Sequence, residues 1–469
     1  MELSTGGSGN YIDIPMVLKD SRINIFFLAY ELPPLQTGGV YRPLYFIKYL
    51  RDLGINPIIL TLHHDDIGYR WPRKGRDHSL AKILDGYTVI QVHESREKIP
   101  FYKIALSNGY QGGNEHITWK KNLYFKVDEL FNSYRPEAIF ATGPPFTILE
   151  LGVQIAKKYQ LPLISDLRDA WSQWNYKPYN SKIQYYLTLR SERRVLKRST
   201  AIIATSSQTI HDLQKAHPKI PVERFHLITN GFDQKVDFTD KVKIKAANKI
   251  RIGYVGSFYY NPDFRGFVLN PWWKKVRKDR LSQPFIFQYV PKREDWLYRS
   301  PYFFFKSIKA LLAEHPKLIS CVEICFVGTK DKWFDPMVEE FGLENVVQHL
   351  GRMSIEKSHD FQKKCDFLLL TSAKVLNGLD YSIAGKTFEY FTMKTPILGY
   401  VCNGAQKDIL EKSGLAIILN PDEPNICAER LFDLFTKDNY LEPNNDFLQT
   451  LHRRFLTSKL SDIIQQSIT

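Results

Sequence analysis

The sequence predicts an α/β protein built as two doubly wound domains facing each other across a cleft. Three observations predict it. At 469 residues the chain is too long for a single hydrophobic core, so two domains of ordinary size are expected. The first half alternates apolar runs of strand length with helical spacings and opens on a strand-loop-helix-strand unit. The alternation restarts at Ile250 after a polar, weakly periodic stretch, 237–249, that reads as a linker. The expected organisation is a flexible extension over 1–21, a first domain over 22–236 and a second over 249–450 with an insertion at about 261–300. A last helix over 451–469 follows, and its return to the first domain is left open.

Within the first half, residues 22–30 read as a buried strand, 31–39 as the loop leaving it and 40–53 as a helix that Gly54 ends before a second strand at 56–61. Gly38 and Gly39 fall at the carboxyl end of the first strand, where a tight turn into a helix either faces a ligand or serves only the turn. Arg42, in the first turn of that helix, is a candidate anion contact. Later strands are expected at 87–92, 138–142, 161–165, 201–204 and 225–233, with a helix over 146–158. Asp166-Leu-Arg-Asp-Ala-Trp171 follows directly on a strand end. Charged groups at that edge of a parallel sheet suit binding or chemistry, the alternative being a helix cap in which Asp166 or Asp169 pairs with Arg168. Residues 171–198 are dense in rings and cations, which fits a solvated helix face, a membrane-surface patch or a nucleic-acid groove.

In the second half, the strand at 250–257 ends in Gly256-Ser257, and a helix appears only at 302–312, after the insertion with its Trp272-Trp-Lys-Lys-Val-Arg-Lys-Asp-Arg280 run. Strands are expected at 322–327, 346–350, 367–370, 397–400 and 415–419. Between the strands at 367–370 and 397–400 lies Asp380-Tyr-Ser-Ile-Ala-Gly-Lys-Thr-Phe-Glu-Tyr-Phe391. A glycine opening a helix lets a ligand approach the first-turn N–H groups, whose dipole favours phosphate. Lys386 adds a cation there, and Glu389, one turn further on the same face, is a carboxylate suited to two neighbouring sugar hydroxyls. An ordinary amphipathic helix with Phe388 and Phe391 in the core is the competing reading.

The formal charge of +14 calls for an anionic partner, whether nucleic acid, acidic lipid or a phosphorylated small molecule. Basic residues are scattered over both domains without a nucleic-acid-binding module, which argues against nucleic acid. No Gly-x-Gly-x-x-Gly follows a strand, which argues against nicotinamide and flavin cofactors. All five cysteines fall in the second half with no metal-ligand spacing, so neither disulfides nor a metal is expected. No basic segment followed by an apolar one opens the sequence, and no apolar run reaches the ~20 residues that span a bilayer, so a cytoplasmic protein, soluble or peripheral on the inner membrane face, is expected.

Several motifs occur in an order that resembles the retaining glycosyltransferases of family four, whose twin-Rossmann architecture is called GT-B. They are the Pro-Pro and Gly-Gly loop running into Arg42, Gly143-Pro-Pro145, Asp166-Leu-Arg-Asp-Ala-Trp171, and Ser191-Glu-Arg-Arg-Val-Leu196 leading to Ala204-Thr-Ser206. Further on are Asn230-Gly-Phe-Asp233, Tyr254-Val-Gly-Ser-Phe258 and Gly385-Lys-Thr-Phe-Glu-Tyr390 with Pro396-Ile397. The resemblance spans about residues 22 to 460. It implies metal-independent transfer of a sugar from a nucleotide-diphosphate donor, held mainly by the second domain, to a polysaccharide or lipid-linked oligosaccharide acceptor held by the first. The donor is a substrate, and no cofactor is implied.

On that resemblance Gly256, Ser257, Gly385, Lys386, Glu389 and Tyr381 line the donor site, with Glu389 on the ribose. Gly38, Gly39, Arg42, Asp166 and Arg168 line the acceptor side. Lys386, Asp169 and Arg299 are the catalytic candidates, the cations stabilising the leaving phosphate. Two positions depart from the family pattern. Tyr381 stands where a glutamate eight residues before Glu389 usually meets the donor sugar, and the usual arginine and lysine after the glycine strand have only Arg265 or Arg299, and Lys306, as candidates. A nucleotide-sugar epimerase or hydrolase of the same fold, or a non-catalytic assembly partner, is the alternative. Membrane attachment is expected through the ring- and cation-rich stretches 171–198 and 268–280.

Overall fold

The computed structural model describes residues 23–70, 75–94, 117–173, 179, 181–244, 246, 249–269 and 289–469. The amino-terminal extension, the aromatic positions 174–178 and most of the basic run at 268–280 lie outside the described residues.

Parallel strands covered by helices on both faces read as continuous apolar runs, and Ile23–Ala29 (β1) is one. Its alternate side chains enter two cores: Phe26 and Leu28 pack on one face of the sheet, Ile25 and Phe27 on the other. The remaining strands of that sheet are Ile55–Leu62 (β2), Val89–Val92 (β3), Ala138–Gly143 (β4), Leu163–Leu167 (β5), Ala201–Ala204 (β6) and Phe225–Leu227 (β7). They are parallel, in the order β3-β2-β1-β4-β5-β6-β7. Helices Gly38–Leu50 (α1), Thr147–Tyr159 (α2), Lys182–Arg198 (α3) and Ser207–Ala216 (α4) follow β1, β4, β5 and β6.

The polar stretch read as a linker contains a short strand, Val242–Ile244 (β8), whose Val242 and Ile244 are buried. The second sheet starts at Ile250–Val255 (β9). Beyond a short strand, Arg293–Asp295 (β10), and the helix Tyr302–Glu314 (α5) come Val322–Val327 (β11), Val347–His349 (β12), Phe367–Thr371 (β13), Lys374–Leu376 (β14), Ile397–Tyr400 (β15) and Ala416–Leu419 (β16). The parallel order is β12-β11-β9-β13-β15-β16, while β10 pairs antiparallel with β14. A final strand, Asn439–Leu441 (β17), pairs antiparallel with β8. Helix Gly385–Met393 (α6) joins β14 to β15, and Pro424–Thr436 (α7) packs beside α5.

Counted along its own chain, each sheet has the same order, 3-2-1-4-5-6, with one additional edge strand on the first. The connection reverses direction between β1 and β4 in one domain and between β9 and β13 in the other. Those are the two crevices where a doubly wound sheet binds ligands, outside the carboxyl ends of its strands. The last helix, Arg453–Ile468 (α8), crosses back to the first sheet. Its Leu456, Leu460, Ile463 and Ile464 pack with Ile25, Phe27, Leu44 and Phe140. At about 1.5–3 kcal/mol for each buried aliphatic side chain, that contact ties the end of the chain firmly to the first domain.

Candidate functional site

In the second domain the crevice begins where β9 runs into Gly256. This residue has φ +119°, a conformation that side-chain-bearing residues rarely adopt. A β-carbon on the neighbouring Gly328 would collide with the Gly256 carbonyl, so the two turns pack backbone to backbone and leave Ser257 exposed at the mouth. Helix α6 starts opposite. No side chain caps its first turn, Gly385 is exposed, and a β-carbon there would meet nothing within 4 Å, so the start of the helix is open on the Gly385 side. Gln406 fixes the approach to the helix by accepting from Ala384 N at 2.8 Å and from the Thr387 hydroxyl at 3.1 Å.

Lys386 reaches back over β9. Its Nζ lies 3.6 Å from the centre of the Tyr254 ring, beside Gly256, and has no hydrogen-bond partner among the described residues. Tyr254 is held in turn by stacking on Phe258 at 3.9 Å. Burial pushes the Lys386 amine down to about 7, with Glu389 opposing the shift. Glu389 stands one turn further along. Its Oε1 accepts from Gln362 Nε2 at 2.6 Å and lies 3.3 Å from His359 Nε2, and the side chain remains 37% exposed. One carboxylate oxygen is thereby anchored. The helix carries a cation at its open end and an anchored acceptor one turn on.

Arg299 approaches from the segment after β10. Nη2 donates to Ser382 Oγ at 3.0 Å, and Glu294 Oε2 lies 3.6 Å from Nη2. Burial works against its charge, yet Glu294, Asp380 and Tyr381 together hold the guanidinium above its usual value. Asp380 is buried and accepts from Ser382 N and Oγ through one oxygen. Desolvation raises its carboxyl to about 6, although Arg299 pulls it down. Tyr381 is buried, its hydroxyl pushed well above its usual range by desolvation and by Glu294. Its carbonyl accepts from Ser206 Oγ of the first domain at 2.6 Å, a contact across the cleft. The field of Asp169 also reaches Tyr381, and that of Arg299 reaches Tyr254 beneath Lys386. Of the three catalytic candidates, Lys386 and Arg299 stand on the second domain and Asp169 on the first.

On the first domain the structure corrects two expectations. Arg42 is not a free anion contact: its Nη2 donates to Asp166 Oδ1 at 2.8 Å and its Nη1 to the Thr229 carbonyl at 2.8 Å. Asp166 lies within β5, fully buried, and also accepts from Thr142 Oγ1 at 2.7 Å. These side chains form an internal ion pair because β1, β4 and β5 are adjacent, which brings the start of α1 over the end of β5. Arg168 does not pair with either aspartate as a cap would require. Its two Nη atoms donate to the carbonyls of Gly39 and Pro144. Of Arg42, Asp166, Arg168 and Asp169, only Asp169 is exposed. It is nevertheless hemmed by protein, and lost solvation raises its carboxyl, with Arg168 opposing and Glu31 and Asp166 adding to the rise.

A β-carbon on Gly39 would sit 2.6 Å from Glu31 Oε2 and 2.7 Å from Arg168 Nη1, whereas one on Gly38 would meet nothing within 4 Å. Gly39→Ala is thus expected to displace the ends of Glu31 and Arg168 and to be less stable than Gly38→Ala, which should be close to neutral, measured by denaturant unfolding. Of the remaining family candidates, Arg265 is bound to Asp295 through two hydrogen bonds of 2.6 and 2.8 Å, and Lys306 is exposed on α5.

Tyr254, Gln362, Gln406, Glu294 and Ser206 were not legible as site residues: Glu294 acts on Arg299 five residues on, and each of the others on a partner distant in sequence. Tyr254 is the exception in part, its position two before Gly256 being a recognisable strand end. Among the described residues one cluster has metal-ligand chemistry, His63, Asp65 and His93, at the ends of β2 and β3. Its two imidazoles stack at 3.6 Å, and it lies away from the β1/β4 crevice.

The fold defines the class as GT-B: two Rossmann-like α/β domains facing each other. Within that class, residues 37–236 match the family model described as Glycosyltransferase Family 4. Solved structures agree on the architecture over nearly the whole chain. HepE from Anabaena, in complex with UDP and glucose, is 14% identical with a TM-score of 0.53, covering 95% of this chain and 100% of its own. The lipopolysaccharide outer core galactosyltransferase WaaB, in apo form, is 12% identical with a TM-score of 0.54, covering 95% and 99%. Sucrose-phosphate synthase from Thermosynechococcus elongatus gives 12%, 0.53, 95% and 99%. No curated protein matches the sequence.

Proposed function

We propose that this chain is a glycosyltransferase that moves a sugar from a nucleotide-diphosphate sugar to a glycan or lipid-linked acceptor. The observation that carries the reading is Lys386 Nζ, unpartnered among the described residues at the open start of α6, with the anchored Glu389 one turn away. A diphosphate laid over Gly256, Ser257 and the first turn of α6 would meet the helix N–H groups and recharge the lysine. Glu389 would then accept from the ribose hydroxyls. HepE, of the same fold, has been solved with UDP and glucose, which supports a nucleotide-sugar donor.

In the proposed reaction the bond from the anomeric carbon to the diphosphate breaks and one to the acceptor oxygen forms. Negative charge develops on the departing phosphate and is stabilised by Lys386 and Arg299, a role that needs neither a metal nor a protein nucleophile. The acceptor's hydroxyl proton goes to the departing phosphate, and transfer with retention follows when attack comes from the same face. Asp169 would orient the acceptor hydroxyl from the first domain.

A thermal-shift screen over nucleoside diphosphates and their sugars tests the reading and identifies the base. Glu389→Ala is expected to weaken binding of the preferred nucleotide by about 1–3 kcal/mol, read by calorimetry. Failure of the unmodified protein to bind UDP or GDP at millimolar concentration would overturn the proposal in favour of a non-catalytic partner. Product analysis with donor alone separates a transferase, which leaves the donor mostly intact, from an epimerase or hydrolase.

A further inference from the structure

Helix α3 presents to solvent a face composed of Lys182, Ile183, Tyr186, Leu187, Arg190, Arg193, Arg194 and Lys197. Its opposite face, with Gln184, Thr188, Val195 and Leu196, is buried against the domain. The single acid of the helix, Glu192, points inward, accepting from Ser172 N at 3.0 Å and lying 2.7 Å from His217 Nε2. The outward face therefore carries five cations and no carboxylate, and none of the five pairs with an acid among the described residues. Its first two turns hold three large apolar side chains that are far from buried: Ile183 is 70% exposed, Tyr186 54% and Leu187 42%. Scattered exposed apolar residues need no explanation, but these occupy positions i, i+3 and i+4 and so form one patch. Arg224 extends the basic end by donating to the Lys197 carbonyl at 3.2 Å.

We infer that this face docks the protein on an anionic lipid bilayer, with Ile183, Tyr186 and Leu187 entering the headgroup boundary and the cations meeting lipid phosphates. Aliphatic side chains flanked by arginine and lysine on a convex helix suit a planar interface, where hydrocarbon accepts the former and phosphate the latter. A nucleic acid would leave Ile183 and Leu187 without an apolar partner, and a second copy of this face would set five cations against five. The amino-terminal end of α3 is tied to the loop that carries Asp169, through Gln173 Nε2 to Tyr185 OH at 3.2 Å and Tyr179 OH to the Ser172 carbonyl at 2.9 Å. The apolar end of the patch thus lies on the cleft side. On the proposed sugar-transfer reading, a membrane-borne acceptor is delivered beside Asp169.

The test is flotation of the full chain with vesicles of phosphatidylcholine alone and with added phosphatidylglycerol, at low and high salt. Binding is expected only to the anionic vesicles and is expected to weaken with salt. With each cation contributing about a fivefold change, Arg190→Glu/Arg193→Glu/Arg194→Glu should lower vesicle affinity about a hundredfold. Ile183→Ser/Leu187→Ser should weaken it at unchanged charge, while Lys317→Glu, an exposed cation of the other domain, should not change it. Unaltered thermal unfolding of the variants shows that the fold survives. Wild-type-like vesicle binding by both helix variants would overturn the inference, as would binding to duplex DNA or self-association in place of vesicle binding. Loss of nucleotide binding with vesicle binding intact would instead overturn the sugar-transfer reading and leave the docking face standing.

Discussion

Lys386→Met is expected to lower the rate of sugar transfer by about a hundred- to a thousandfold while leaving folding stability unchanged or higher. The free protein holds the Lys386 amine over the Tyr254 ring with no hydrogen-bond partner among the described residues, and burial pushes it down to about 7. Such a group contributes little to folding, but a diphosphate brought against it restores its charge. Proton uptake follows from this. Below pH 7 the amine is already charged and nucleotide binding is proton-neutral at this site, whereas above it binding takes up a proton and affinity falls as pH rises. Calorimetry at pH 8 in buffers of different ionisation enthalpy should detect that uptake in the wild type and not in Lys386→Met. Folding stability runs the other way. The unfolded lysine keeps its proton up to its ordinary value of 10.5, so between about 7 and 10.5 the unfolded chain binds more protons and stability rises with pH. Lys386→Met should remove that slope, as denaturant unfolding at pH 7 and pH 10 would show. Equal nucleotide affinity and turnover in variant and wild type would remove Lys386 from the site.

The strands of both sheets were legible because a parallel strand covered on two faces is an uninterrupted apolar run, as in Ile23–Ala29 and Ile250–Val255. The spacing of Lys386 and Glu389 was legible for a similar reason, since one helical turn places them on the same face whatever the rest of the chain does. Partner choice was not. Arg42 and Asp166 are 124 residues apart, and either could have faced the cleft. Only the adjacency of β1, β4 and β5 decides that they neutralise one another inside the domain. Tyr381 illustrates the same limit, because its departure from the family pattern can be seen in sequence while its carbonyl contact with Ser206 cannot. The ring- and cation-rich segment at 171–198 was ambiguous until the inward turn of Glu192 separated its acid from its cations. Local pattern determines which residues share a face. Long-range packing determines whether that face is used for binding or for holding the protein together.

On the proposed sugar-transfer reading Arg299 belongs to both categories, and Arg299→Met is expected to cost about 3–5 kcal/mol of stability in addition to abolishing measurable transfer. Glu294 and Asp380, 2% and 1% exposed, share this guanidinium, and removing it leaves two acids buried without the cation between them. A loss of activity alone would not distinguish a role on the leaving phosphate from simple unfolding. The pH dependence provides the distinction. Asp380 titrates at about 6 in the folded protein against 3.8 ordinarily, so between those values the folded state binds more protons and stability falls as pH rises. Without Arg299 the carboxyl rises further, and the decline should extend above pH 6. Combining Arg299→Met with Asp380→Asn removes one of the two uncompensated charges, and part of the lost stability should return. Transfer should not return with it, because the double variant still lacks the cation that faces Ser382 and the cleft. If the double variant regained turnover along with stability, Arg299 would be a structural residue only, and Lys386 with the α6 helix start would carry the leaving-group charge alone.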